Sequence, residues 1–138
     1  MVTSVREQNL EVCGQHIALE ATDIDAALEL YTSDVVWESP ARNLRFQGRE
    51  AVAANYRRMF SSLDFSSFEV EPIERFATDD RVVDDCRVRF TLTGDGFVNA
   101  PAKIGDRVEL RLVHIFEMRQ GKIARESTFE LWTTLLAS

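Results

Sequence analysis

The sequences VELRLVHIFEM (Val108 to Met118) and KIARESTFELW (Lys122 to Trp132), separated by the turn Arg119-Gln120-Gly121, predict two antiparallel strands. Alternate residues of the first strand form an apolar row that contains one polar residue: Leu110, Leu112, His114, Phe116 and Met118. The second strand alternates Ala124, Glu126, Thr128 and Glu130 with Ile123, Arg125, Ser127, Phe129 and Leu131. Pairing across the turn brings His114 within side-chain reach of these polar groups. The polar cluster is either a hydrogen-bonded core network or the floor of a pocket.

The rest of the chain predicts helices first and strands afterwards. Ser4 and Glu7 fit a capping box that starts a helix running to about Ala21. The later elements follow from periodicity and breakers: a short helix from Thr22 or Asp23 through Tyr31, a strand from Val35 to Ser39, a polar loop over 41–48, a helix from Arg49 to Leu63, and strands from Phe68 to Phe76 and from Arg81 to Thr93. This order predicts one α+β domain spanning residues 1–138, with helices on one face of a curved antiparallel sheet.

Composition narrows the classes of function. The chain has 138 residues, and its net charge of −7 with scattered basic residues disfavours nucleic-acid binding. No stretch has the length or polarity pattern of a signal peptide or a membrane span, so we expect a cytoplasmic protein without membrane contact. Cys13 and Cys86 do not fit a disulfide or metal motif, and the two histidines lie on separate elements. The sequence therefore predicts no metal and no cofactor.

Four stretches, in this order, carry a resemblance to a known family: Ala21 to Tyr31, Asp34 to Pro40, Phe46 to Val52, and His114-Ile115-Phe116 with Gly121-Lys122-Ile123. They resemble the cone-shaped family that includes nuclear transport factor 2, SnoaL-type polyketide cyclases and ketosteroid isomerases. The resemblance implies a deep pocket between helices and sheet that takes a small apolar or aromatic ligand. It also implies a homodimer built on the outer face of the sheet.

The catalytic patterns of that family match this chain only in part. Where the ketosteroid isomerase pattern has a tyrosine and two aspartates, this chain has Gln15, Ser39 and Val113. The polyketide cyclase pattern pairs a histidine with an aspartate fourteen residues on, and here His114 is followed by Thr128. The limonene epoxide hydrolase pattern also requires a carboxylate at that position and a nearby Arg-x-Asp pair, which this chain lacks.

The remaining candidate for acid–base chemistry is His114 with Glu126, two residues from Thr128 on the same face. A carboxylate beside an imidazole in a dry pocket can share a proton, so we assign proton shuttling to His114 and the role of base or orienter to Glu126. The predicted ligand contacts are Trp37, Tyr56, Asp84, Thr128 and His16. Each assignment has a competing interpretation. The aromatic residues could be plain core, Asp84 could lie at a strand end in solvent, and His16 could lie on the surface.

Three functions remain open at this point. The first is a cofactor-free isomerase, cyclase or lyase that acts by proton transfer on a small apolar carbonyl compound. The second is a non-catalytic member of the fold that binds a small molecule or a protein, which the missing carboxylates at Ser39, Val113 and Thr128 favour. The third is a structural dimerisation module with a filled interior. Whether His114 opens onto a cavity distinguishes the third from the others.

Overall fold

The structure, a computed structural model, describes residues 3–135 of the chain. Its helices and strands are α1 (Val5–Leu19), α2 (Ile24–Leu28), β1 (Tyr31–Ser39), β2 (Leu44–Gln47), α3 (Arg49–Phe60), β3 (Glu69–Ala77), β4 (Arg81–Thr91), β5 (Arg107–Arg119) and β6 (Lys122–Thr134). Short 3-10 helices lie at Pro40–Arg42 and Phe65–Ser67. The predicted α+β fold, with helices packed on a curved sheet, is confirmed.

The six strands of this part of the chain form one sheet in the order β2-β1-β6-β5-β4-β3. All neighbouring strands run antiparallel except β1 and β6, which are parallel. The expectation of a purely antiparallel sheet was therefore wrong in this one pair. The chain between β1 and β6 includes α3 and four other strands, and a connection of that length permits parallel pairing.

The predicted helix starts are confirmed by their caps. The Ser4 hydroxyl accepts a hydrogen bond from the Glu7 amide, and the Asp23 carboxylate accepts one from the Ala26 amide. The second helix ends at Leu28 rather than at Tyr31, because Tyr31 already begins β1. Its aromatic ring is thereby placed on the sheet, facing the interior.

The segment predicted as a polar loop contains regular structure. Residues 40–42 form a 3-10 helix, and Asn43 takes a left-handed conformation (φ 55°) that turns the chain into β2. Leu44 and Phe46 alternate with arginine and glutamine in β2 and pack against the main apolar cluster. The alternation was present in the sequence, but a strand of four residues gives too short a pattern to separate it from a loop.

The inner face of the sheet follows the predicted period of two, with one irregularity. Buried and half-buried residues alternate along β4, and the predicted inward row of β5 is on the inner face. In β6, Ile123 pairs with Met118 and Arg125 pairs with Glu117, which leaves Ala124 as a bulge. The bulge moves Ile123 from the predicted outer row to the core, where it is fully buried, and leaves Glu126 and Thr128 facing inward.

The outer face of the sheet carries two exposed apolar side chains on β6. Phe129 and Leu131 are 44% and 69% exposed, opposite Val113 and Arg111 of β5. The homodimer through this face remains a prediction. Among residues 3–135, no helix has the length and apolar character needed to cross a membrane.

We expect Gly96→Ala to destabilise the fold because the loop that carries Phe97 is pressed against α3. A Cβ at residue 96 would lie 1.9 Å from the backbone oxygen of Arg58 and 2.3 Å from the Ser62 hydroxyl. The loop would have to move away from α3 to remove this clash. Overpacking of this kind typically lowers the free energy of unfolding by about 1–3 kcal/mol. Urea unfolding measures the loss. Gly105→Ala is not a suitable control, because Gly105 has φ 97° and an alanine there would be strained for a different reason. Ala102→Gly is the control, because it changes a residue of the same loop without adding an atom against α3.

Candidate functional site

A cavity of about 160 Å³ lies between the helices α1 and α3 and the inner face of the sheet. Its walls are mostly apolar and combine residues of the two buried apolar clusters of the protein. The apolar lining includes Ile17, Trp37, Met59, Phe60, Leu63, Phe68, Val88, Phe90, Phe97, Leu110 and Leu112. The polar lining comprises Glu20, Tyr56, Arg75, Asp84, His114, Glu126, Thr128 and Glu130. A dry engineered cavity of comparable volume holds a benzene molecule, so this one accommodates a ligand of about one ring.

His114 and Asp84 form a dyad on the wall of this cavity. The two residues lie directly opposite each other in the β4–β5 pair, and the Asp84 Oδ2 atom is 3.3 Å from His114 Nδ1. The other Asp84 oxygen accepts a 2.8 Å hydrogen bond from Arg75 Nε of the edge strand β3. Asp84 thus orients the imidazole ring, and Arg75 orients Asp84.

The second ring nitrogen of His114 is available to a ligand. Within residues 3–135, Nε2 has no hydrogen-bond partner, and the ring is held flat against Phe116 with ring centroids 5.6 Å apart. Burial lowers the pKa of His114, but the hydrogen bond that its Nδ1 donates to Asp84 and the charges of Glu126 and Glu20 outweigh this effect and raise the pKa above its usual value. For Asp84, burial raises the pKa, and His114 and Arg75 more than offset this, so that its pKa is lowered.

Glu126 is the centre of a separate buried network. The hydroxyls of Tyr56 and Tyr31 donate to its two carboxylate oxygens, over 2.5 Å and 3.1 Å respectively. His16 Nε2, from α1, lies 3.0 Å from Glu126 Oε1 and 3.3 Å from Glu20 Oε2. Neither His16 nor Glu126 is exposed to solvent.

The charges of this network stabilise one another. Burial raises the pKa of Glu126, but the charge and hydrogen bond of His16, together with His114 and Tyr56, lower it below its usual value. Burial lowers the pKa of His16, and Glu126 and Glu20 raise it to about 10. Burial, with the nearby charge of Glu126, raises the pKa of both tyrosines, so they remain protonated donors. The network is therefore an ion pair capped by two neutral hydroxyls.

A second buried ion pair lies at another part of the wall. The guanidinium of Arg42 is completely buried and donates to both oxygens of Glu130, over 2.9 Å and 3.2 Å. Ser39 and Trp132 also donate to Glu130 Oε1. Arg42 further lies over the rings of Trp37 and Phe97. These contacts use the acceptor positions of Glu130 within the protein and fix the 3-10 helix against β6.

The structure gives His114 and Glu126, predicted as a pair, two different partners. Asp84 is the carboxylate of His114 and lies in the cavity rather than in solvent, whereas Glu126 binds His16. His16 was expected at the pocket mouth or on the surface, and it is buried. Trp37, Tyr56 and Thr128 line the cavity, and their contact with a ligand stays a prediction. The Thr128 hydroxyl donates to the Glu38 carbonyl.

Four residues of the site were not predicted: Glu20, Tyr31, Arg42 and Arg75. A signal existed for Glu20, since it follows His16 by four residues on one helix and so shares its face. Tyr31 was assigned to a helix, and Arg42 and Arg75 stand in segments rich in other charged residues. Nothing in the local sequence distinguishes an arginine that reaches the site from its solvated neighbours.

Comparison with known proteins agrees with this architecture. The model of the SnoaL-like domain family matches residues 15–126, and the chain therefore belongs to that family. A SnoaL-like polyketide cyclase structure from Jannaschia sp. CCS1 is 21% identical, with 94% of this chain and 90% of that chain covered and a TM-score of 0.78. An LEH-like epoxide hydrolase from M. tuberculosis is 20% identical, with 91% of this chain and 84% of that chain covered and a TM-score of 0.67. Curated proteins gave no match.

Proposed function

We propose that this protein is a cofactor-independent enzyme that moves a proton within a small, mostly apolar carbonyl compound bound in the cavity. The observation that carries the proposal is the His114–Asp84 dyad, which lines a mostly apolar cavity and leaves one imidazole nitrogen without a hydrogen-bond partner in the described residues. An oriented imidazole with a raised pKa is a stronger base than a free one. The structures from Jannaschia and M. tuberculosis are named as a cyclase and an epoxide hydrolase, and both of those reactions act on small molecules.

In the proposed reaction, Asp84 holds the Nδ1 proton of neutral His114, so that Nε2 carries the lone pair. Nε2 takes a proton from a carbon next to the ligand carbonyl, and the electron pair of the broken C–H bond moves into the enolate. The imidazolium then returns the proton to another atom of the same molecule. Isomerisation, ring closure and elimination all begin with this step, and none of them requires a further reactant.

The roles of the other site residues differ from those expected from the sequence alone. Glu126 accepts two tyrosine hydroxyls and faces His16, so we assign it to holding the polar floor of the cavity instead of acting as the base. Trp37, Tyr56 and Phe60 supply flat apolar surface for the ring of the ligand. Half-exposed Val70 and Arg75 mark where the cavity meets solvent.

The test is hydrogen exchange at the carbon next to the carbonyl. The protein is incubated in D₂O with a panel of one-ring ketones, such as cyclohexenones and acetophenones, and loss of the α-proton signal is followed by NMR. We expect at least one ketone to exchange with turnover well above the buffer rate. If every ketone that binds exchanges at the buffer rate, the protein is a binding module and the proposed reaction is wrong.

The pH dependence of this exchange follows from the state of His114. Because the neutral imidazole is the base, the rate at limiting ketone should rise with pH and level off above the raised pKa of His114. Asp84→Asn removes the charge and the hydrogen bond that raise this pKa, so the rising limb should move to lower pH and the plateau should fall by about tenfold or more. The pH–rate profile of the two proteins measures both effects. If the rising part of the pH–rate profile lies at the same pH in Asp84→Asn as in the unaltered protein, His114 is not the titrating base.

A further inference from the structure

Three donor atoms from two elements converge beside the cavity. His16 and Glu20 are four residues apart at the C-terminal end of α1, which puts both side chains on one face of the helix. Glu126 reaches the same point from β6. The ligand-type atoms of the three residues all lie within 4.8 Å of one another.

Counting protons shows that this cluster is incompletely satisfied within the described chain. His16 Nε2 carries at most one hydrogen, yet four oxygens surround it: those of Tyr31 at 3.0 Å, Glu126 at 3.0 Å, Glu20 at 3.3 Å and Tyr56 at 3.4 Å. Both tyrosine hydroxyls donate to Glu126. The Oε2 atom of Glu20 is buried, and its one polar contact within residues 3–135 is the 3.3 Å approach of His16 Nε2, whose hydrogen is shared with Glu126.

The cluster also contains more acidic groups than basic groups. The two carboxylates of Glu20 and Glu126 face a single imidazole, that of His16, and its Nε2 hydrogen can be donated to only one of them. A buried carboxylate that must share its only donor with a second carboxylate is costly. A divalent cation bound between the two carboxylates and neutral His16 would make the set of three residues electrically neutral and give each carboxylate its own contact with the ion.

We propose that His16, Glu20 and Glu126 bind one divalent transition-metal ion, with Zn²⁺ as the representative ion. One imidazole nitrogen and two carboxylate oxygens are a donor set that zinc accepts, at distances of about 2.0–2.2 Å. Tetrahedral geometry at those distances separates ligand atoms by about 3.3 Å, and His16 Nε2 already stands 3.0 Å and 3.3 Å from the two oxygens. Ion binding displaces the Nε2 proton to solvent.

The surroundings fit an ion with an open coordination position. Glu20 and Glu126 both line the cavity, so the fourth position faces the space where a ligand lies. The hydrogen bond from Tyr56 fixes the second oxygen of Glu126 and orients that carboxylate. The site is separate from the His114–Asp84 dyad. The metal proposal can therefore be right or wrong independently of the proposed proton transfer.

The experiment is isothermal titration of ZnCl₂ into the full chain after treatment with a chelator and dialysis. We expect saturable binding of one ion per chain. Glu20→Gln should weaken that binding at least tenfold. Glu11→Gln is the matched control, because Glu11 is an exposed glutamate of the same helix, and it should leave the affinity unchanged. Far-UV circular dichroism checks that both variants are folded.

His114→Asn distinguishes this site from the dyad and should bind Zn²⁺ as the unaltered protein does. The proposal is overturned by any of three results: no saturable binding, an equal affinity in Glu20→Gln and Glu11→Gln, or loss of binding in His114→Asn with retention in Glu20→Gln. The last two would place the ion on the surface or at the dyad. None of these results bears on the ketone exchange assay, which is run with chelator present.

Discussion

Replacing His114 by asparagine is expected to reduce the rate of ketone α-proton exchange by about 10²–10⁴-fold, the contribution typical of a positioned base. The substitution removes the nitrogen that faces the cavity, while the asparagine side chain can still donate to Asp84. The fold should therefore persist, and so should ketone affinity, since the apolar walls are unchanged. The exchange rate per bound ketone is the quantity to compare, with affinity measured separately by calorimetry.

A matched control for this variant is Thr128→Val, at the position directly across β5–β6 from His114. Thr128 also lines the cavity, but its hydroxyl is engaged by the Glu38 carbonyl, so this change should alter affinity more than the exchange rate. If His114→Asn changes only affinity, the protein is a ligand-binding module without catalysis. That outcome would favour the hypothesis suggested by the missing carboxylates at Ser39, Val113 and Thr128.

Glu126→Gln is expected to lower the free energy of unfolding by about 3–5 kcal/mol, because it removes one partner of a fully buried ion pair. The change removes the nearer of the two carboxylates that face His16, leaving Glu20 at 3.3 Å, and places an amide against one of two tyrosine hydroxyls. Urea unfolding monitored by circular dichroism measures the loss. From the sequence we expected this variant to fold normally and lose only activity, and the buried network changes that expectation.

Glu117→Gln provides the control for Glu126→Gln. Glu117 lies on β5 and pairs with Arg81 and Arg125 on the solvent side, where a salt bridge contributes about 0–1 kcal/mol. Adding His16→Gln to Glu126→Gln should cost less than the sum of the two single changes, because the pair is already broken. A loss below about 1 kcal/mol for Glu126→Gln, or strictly additive effects, would contradict a structural role for the network.

Local patterns were sufficient for most of the fold. The caps at Ser4 and Asp23 and the alternation along β4 and β5 are properties of short segments, and the structure confirms them. The parallel pairing of β1 with β6 was missed because it joins segments about 90 residues apart in sequence, as in the pair Trp37 and Glu126. The bulge at Ala124 was missed because a period-two count assumes that no residue is inserted.

The sequence was sufficient to predict which residues face the interior, but not which side chains contact one another. A period of two places His114 and Glu126 on the inner face, yet the carboxylate that reaches His114 depends on the β4–β5 register, which aligns it with Asp84. His16 is paired with Glu126 by the packing of α1 on the sheet, a tertiary contact that helical periodicity does not specify. Arg42 is buried because Glu130 lies opposite, although the arginine itself stands in a polar segment.

A crystal structure of the protein with the tightest-binding ketone of the panel tests most directly whether His114 is the base. We expect the ketone in the cavity, with the carbon next to its carbonyl about 3–3.5 Å from His114 Nε2 and the Asp84 contact to Nδ1 retained. A ketone bound elsewhere on the protein, or bound in the cavity with His114 turned away from it, would contradict the proposed role of His114.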